Sequence, residues 1–166
     1  MGVRGVRSKN KIKPPVKKKR KYNTLRHKEV CDKAGKWLKK HSQNILIPNC
    51  PTVAIDMTTC ENEIPDVIGW YSGGSIMIEV KVNRGDFLSD YKKPFRRMPK
   101  LGVGDFRYYC CPTNLIKEHE LPTNWGLLYI SEKNRIKIIK VAEKQISNLS
   151  SERNMLLSII RRLKTK

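Results

Sequence analysis

Hydrophobic positions recur with a helical period over residues 24–40, where Val30, Ala34, Trp37 and Leu38 line one side and Leu25 and Cys31 flank them. The spacing predicts an amphipathic helix with a basic outer face, capped by Asn23 or Thr24. A short apolar connector follows over 45–51. Residues 52–58 then alternate as a strand does, with Val53, Ile55 and Met57 to one side. Residues 66–71 and 75–82 read as a strand pair closed by Ser72-Gly73-Gly74, with the two glycines expected at the centre of a tight turn. A short helix is expected over 84–93, opening at Gly85-Asp86 and setting Phe87 and Tyr91 one turn apart. A basic, glycine-containing loop runs over 92–104, and a strand over 106–111 ends at Pro112. Residues 126–131 and 135–141 form a second hairpin, turning at Glu132-Lys133-Asn134. Met155, Leu156, Ile159, Ile160 and Leu163 mark a final helix. That order implies an α/β fold, a single mixed sheet covered by helices.

Charge changes the picture at the N-terminus. Residues 1–22 hold ten Lys or Arg and no acid, with Pro14 and Pro15 adjacent and no apolar period. This stretch reads as a loosely held basic arm ahead of a single domain over 23–166. The chain's 166 residues are enough for one core and short for two. Of the net charge of +20, the arm supplies half, and the remainder carries 25 bases against 15 acids. A basic domain behind a basic arm points to a polyanionic partner, with nucleic acid favoured over membrane because no segment is continuously apolar over a bilayer span. No apolar stretch follows the charged N-terminus, as a signal peptide would require. The run Lys17, Lys18, Lys19, Arg20 and Lys21 is read as a phosphate-binding arm in preference to a nuclear localisation signal. Cysteines at 31, 50, 60, 110 and 111 are odd in number and contain no C-x-x-C pair, which argues against a disulfide framework and for a reducing, intracellular compartment. A zinc site from His41, Cys50 and Cys60 is disfavoured because structural zinc ligands usually come in close pairs. None of His27, His41 and His119 sits in a pattern that marks a ligand or nucleophile.

The candidate chemistry lies on the first hairpin. With Gly73 and Gly74 at the centre of the turn, Asp66 lies directly opposite Lys81, and Glu79 shares their face as a diagonal neighbour of Asp66. On the reverse face Ile76, Ile78, Val80 and Val82 are all apolar, so one face is core and the other ends in charges. The face that Asp66 occupies depends on this register, which a one-residue slip would reverse. Two acids and a lysine at the end of a half-buried hairpin are costly unless they are paired or bind something. A cross-strand Asp66–Lys81 ion pair is the simpler alternative.

The conjunction of Pro65-Asp66, a glycine turn, an apolar strand and Glu79-Val80-Lys81 resembles the PD-(D/E)XK nuclease superfamily. The stretch from Asp66 to Asp90, including Arg84-Gly85-Asp86-Phe87-Leu88, is similar to MmcB-like DNA repair proteins. The resemblance covers roughly residues 24–131, with a specific part of about 25 residues. It implies a restriction-endonuclease-like core and Mg²⁺- or Mn²⁺-dependent hydrolysis of phosphodiester bonds in DNA, in repair, recombination, or a phage or mobile element. In such a site Asp66, Glu79 and the Val80 carbonyl would hold one or two ions, and Lys81 would orient the attacking water or stabilise charge on the phosphate.

Many superfamily members place a further acid on the first helix. Glu29 is the matching candidate, with Asp32 and the weaker Glu63 as substitutes. Arg84, Lys92, Lys93, Arg96 and Arg97 flank the short helix and are expected to track the phosphate backbone. Asp86 and Asp90 stand one turn apart on that helix, where they either support Lys81 or basic neighbours near the site or, as the preferred reading, Asp86 caps the helix. One of Tyr108 and Tyr109 is expected in the core and the other beside a substrate groove. No small-molecule cofactor is expected. The competing readings are a Holliday-junction resolvase, which would act as a homodimer, and a noncatalytic basic nucleic-acid-binding protein that retains the fold.

Overall fold

The computed structural model describes residues 27–40, 46–57, 59 and 61–164. The basic arm, including Lys17 to Lys21, the expected helix cap at Asn23 or Thr24, and two members of the His41–Cys50–Cys60 set lie outside the described residues.

Helix α1 spans His27–Lys39, and strands β1 Thr52–Ile55, β2 Val67–Tyr71 and β3 Gly74–Val80 follow it. Helices α2 Arg84–Asp90 and α3 Pro94–Arg97 and a 3-10 turn at Pro99–Leu101 lead to β4 Phe106–Pro112. A 3-10 turn at Glu118–Glu120, strands β5 Gly126–Ile130 and β6 Ile136–Lys140, and helix α4 Leu149–Lys164 complete the order. The six strands form one mixed sheet in sequence order, with β3–β4 and β4–β5 parallel and the other pairs antiparallel. This is the expected α/β architecture, a mixed sheet flanked by helices.

Two hydrophobic layers sandwich the sheet. Val30, Cys31, Ala34 and Leu38 of α1 pack on one face against Val67, Ile76, Ile78 and Val80. On the other face Phe87 of α2 and Met155 of α4 pack with Ile68, Met77, Tyr109 and Trp125. The expectation of a single core face on β3 is therefore corrected. Parallel neighbours bring crossover segments over both sides of a central strand, so Met77 is as buried as Ile76 and Ile78. Tyr108 and Tyr109 are likewise both buried, one in each layer, and neither lines a groove.

The hairpin turn sits one residue earlier than expected, at Ser72-Gly73, so Tyr71 pairs with Gly74 and Val67 with Ile78. Gly74 takes a φ of 146°, a conformation that side chains disfavour. Because the turn keeps its two-residue length, moving it by one shifts every partner by two and preserves the face. Continuing the register, Asp66 lies opposite Glu79 rather than Lys81.

β1 ends at Ile55, and the φ of 47° at Asp56 turns the chain off the ladder. Val53 and Ile55 pack in the first layer, whereas Met57 belongs to the second. The helical stripe at the C-terminus is only partly used: Met155 is buried, but Ile160 and Leu163 are exposed. What docks α4 is Glu152, a buried carboxylate that accepts from Trp70 Nε1 at 2.9 Å, Ser75 Oγ at 2.7 Å, Gly104 N at 2.8 Å and Ser147 Oγ. Glu152→Ala strands these donors, and we expect it to cost roughly 3 kcal/mol, read as a lower thermal midpoint. An unchanged midpoint would show that apolar contacts alone hold α4.

Candidate functional site

Asp66 directly precedes β2, and its Oδ2 accepts the backbone N–H of Val80 at 2.7 Å. That bond ties the start of β2 to the end of β3, next to Glu79 and Lys81. Burial and the neighbouring charge of Glu79 push the Asp66 carboxyl above its ordinary range, against the pull of the Val80 N–H, His27 and Lys81. Asp66, Glu79 and Lys81 are thus brought to one end of the hairpin, and the Val80 side chain points into the first core layer.

Glu79 and Lys81 are far more buried than a hairpin end implies, at 4% and 7% exposure. Lys81 Nζ lies 2.7 Å from Glu79 Oε1 and 3.3 Å from Asp90 Oδ1. Lys93 Nζ bridges the same two acids, at 3.2 Å and 2.7 Å. Arg96 donates its Nε to Asp90 Oδ2 at 2.5 Å, pairs with Glu63, and sets its Nη2 3.4 Å from Glu79 Oε2. Three acids (Glu63, Glu79, Asp90) therefore meet three bases (Lys81, Lys93, Arg96) in a charge-balanced cluster. Tyr109 also donates its hydroxyl to Asp90 at 2.6 Å. Burial alone would raise the Asp90 carboxyl, but Arg96, Lys93, Tyr109 and Lys81 outweigh it and hold the group well below the carboxylate range. For Glu63 the balance goes the other way: burial outweighs Arg96 and the Val103 N–H and raises it.

Several expected roles change in this setting. Arg96 is buried, with its guanidinium 4.6 Å from the ring centre of Trp125, so it holds the fold together instead of facing a phosphate. Lys93 is half-buried and ion-paired, whereas Lys92 and Arg97 stay exposed. Asn83 caps α2 by accepting the Asp86 N–H at 2.9 Å, and Asp86 sits inside the first turn. A short polar side chain just before the helix was the signal for that cap. Glu63, expected in a loop as a weak substitute acid, is buried against Arg96 and Val103.

Arg84 forks onto Glu120, with Nη1 to Oε2 at 2.9 Å, and reaches the Leu115 carbonyl at 3.2 Å. The Arg84 hydrogen bond, outweighing a small burial penalty, holds the Glu120 carboxyl down to about 2. In Arg84→Gln we expect the Glu120 carboxyl to rise toward its ordinary range, with the Lys117 N–H still holding it somewhat down, followed by carboxyl NMR. The contribution of this pair to stability is present above the ordinary carboxylate range and is lost as pH falls toward about 2. A Glu120 titration that does not move in Arg84→Gln would rule out this pairing in solution.

Glu29, the expected helix acid, is exposed on α1. The α1 residues that meet Asp66 are His27 and Cys31, which the sequence reading passed over. His27 Nε2 lies 3.3 Å from Asp66 Oδ2, and His27 Nδ1 lies 3.4 Å from Cys31 Sγ. With Asp56 they form a group whose donor atoms all lie within 4.8 Å of one another. Burial, and then the charges of Asp66 and Asp56, push the Cys31 thiol far above its ordinary range. The available signal was His27 and Cys31 at i, i+4, one face of one helix.

No protein-family model and no curated protein matches the chain. Among solved structures, a protein of unknown function from Silicibacter pomeroyi is similar at 21% identity and a TM-score of 0.50, over 68% of this chain and 76% of that one. Similarity at this level concerns the fold alone. Among the described residues no helix is long and apolar enough to cross a membrane, and Cys31, Cys50, Cys110 and Cys111 are free thiols.

Proposed function

We propose that the protein is a metal-dependent deoxyribonuclease with a restriction-endonuclease-like core, acting in DNA repair or recombination or in a phage or mobile element. The observation that carries this reading is the gathering of Asp66 and Glu79 just beyond the last β2–β3 pair, Val67 with Ile78, with Lys81 Nζ 2.7 Å from Glu79. Two desolvated carboxylates side by side repel each other, and a divalent cation relieves that repulsion. Their oxygens, with the Val80 carbonyl, are hard donors suited to Mg²⁺ or Mn²⁺. Bound there, such an ion neutralises charge on a phosphate and lowers the pKa of a bound water.

The residues of the chain divide the remaining tasks. Asp66, anchored on the Val80 N–H, has its carboxylate fixed before any ligand arrives. Lys81, held by Glu79 and Asp90, offers N–H donors to the charge that develops on the phosphate. Asp90 and Arg96 position that lysine from beneath. The exposed Lys92 and Arg97, with the basic arm, supply contacts to the DNA backbone.

One observation favours a second reading. Glu79 is already neutralised by Lys81, Lys93 and Arg96, as a purely structural carboxylate would be. On that reading the protein binds DNA through charge and cuts nothing. Incubation with labelled linear, single-stranded, flapped and four-way DNA in Mg²⁺, Mn²⁺ or EDTA separates the two. Cleavage that needs the metal establishes the nuclease, and preferential cutting of four-way DNA by a dimer would identify a resolvase. Salt-sensitive binding that ignores metal, with no cleavage of any substrate, would leave the noncatalytic module.

A further inference from the structure

We infer that His27, Cys31, Asp56 and Asp66 form a binding site for a single transition-metal ion of the Zn²⁺ class, on the α1 side of the sheet. It shares Asp66 with the proposed nuclease site but uses neither Glu79 nor Lys81, so it does not rest on the nuclease reading.

Three observations converge on this site. The first is the donor set: one imidazole, one thiol and two carboxylates, with all four ligand atoms within 4.8 Å of each other. Around a tetrahedral ion with bonds of about 2.0–2.3 Å, donors lie about 3.3–3.8 Å apart, so small rotations of exposed side chains close the shell. His27 and Asp56 are exposed and free to make that adjustment, whereas Cys31 is buried and fixed.

The second is the way two distant segments deliver the donors. His27 and Cys31 stand one turn apart on α1, the i, i+4 spacing that presents two ligands from one helix face. Asp56 and Asp66 are the residues just beyond the last β1–β2 pair, Ile55 with Val67, and are joined by the Asp56 N–H to the Asp66 carbonyl at 2.9 Å. α1 packs across this edge, so the helix pair and the strand-end pair face each other.

The third is the charge. Every buried acid of the neighbouring cluster pairs with lysine or arginine, yet among the described residues neither Asp56 nor Asp66 forms an ion pair with either residue type. Among the described residues, two adjacent carboxylates left to one imidazole mark a place for a cation of another kind. The mixture selects among cations. Imidazole and thiolate favour Zn²⁺, Co²⁺ or Fe²⁺ over Mg²⁺, which prefers oxygen donors in an octahedron. Binding releases the Cys31 proton to solvent as the metal–sulfur bond forms.

The test is a Co²⁺ titration of the metal-free full-length protein, followed by absorption. The expected result is a thiolate-to-cobalt charge-transfer band in the near ultraviolet with tetrahedral bands in the visible, saturating at one equivalent and erased by Zn²⁺. Cys31→Ser removes the charge-transfer band, while Cys50→Ser and Cys60→Ser keep it. Asp56→Asn, a surface change that leaves the core untouched, weakens Co²⁺ binding at least about tenfold. Absence of the band, or its persistence in Cys31→Ser, overturns the site. DNA cleavage is scored separately: the band without cleavage supports the metal site and counts against the nuclease, and Mg²⁺-dependent cleavage without the band overturns the metal site alone.

Discussion

Asp66→Asn is expected to lower metal-dependent DNA cleavage by about a thousandfold while leaving the fold intact. The amide oxygen still accepts the Val80 N–H that Asp66 now holds at 2.7 Å, so the hairpin keeps its anchor. What disappears is the negative charge opposite Glu79, and with it the attraction for a divalent ion. Asp66→Ala should lose as much activity and in addition some stability, because the Val80 N–H loses its acceptor. Lys81→Met is expected to lose between a hundredfold and about a thousandfold, with metal binding retained, since its role is toward the phosphate. The measurement is single-turnover cleavage of the best DNA substrate beside a thermal melt of each variant. Wild-type rates in Asp66→Asn would remove Asp66 from the chemistry and, with it, the nuclease assignment on this hairpin.

The largest stability effect should come from Arg96→Met, at about 3–5 kcal/mol, because the substitution removes a buried cation and strands its acids. Arg96 is 7% exposed and touches Glu63, Asp90 and Glu79 while stacking over Trp125. In a chain of this size that is a fall in midpoint on the order of 10 °C. Adding Glu63→Gln and Asp90→Asn should recover part of the loss, since the damage is unpaired charge rather than missing volume. Acid also has a defined direction here. Asp90 is held below its ordinary range, so its contribution is present above that range and fades as pH falls toward the native value. Glu63 is raised and acts oppositely: it favours the native state at low pH and loses that contribution as pH rises through its native value. With Arg96 gone, Asp90 loses its largest cationic partner, and stability should fall less steeply on acidification. An Arg96→Met protein that melts within about 2 °C of wild type would show the cluster to be energetically idle.

Much of the candidate site could be read along the chain because it rests on local geometry. Alternation in a strand has a period of two, so Glu79 and Lys81 share a face whatever packs on it, and a two-residue turn returns Asp66 to that face even though the turn sits at Ser72-Gly73. The strands, the amphipathic α1 and the basic character of the chain follow from patterns within a few residues of each other.

Partners and burial are a different matter, because they come from segments far apart in sequence. Arg96 reads as a surface base beside Arg97 and becomes a core residue because Glu63, 33 positions away, is folded against it. Met77 and Tyr109 became core when the crossover through α2 and the final helix covered the second face of the sheet. His27 carried no motif, and only the docking of α1 across the end of the β1–β2 ladder sets it beside Asp66, 39 residues on. Periodicity along the chain determined which residues share a face, and the tertiary structure decided which of those charges are paired, which are buried and which stay exposed, because pairing and burial depend on segments far apart in sequence.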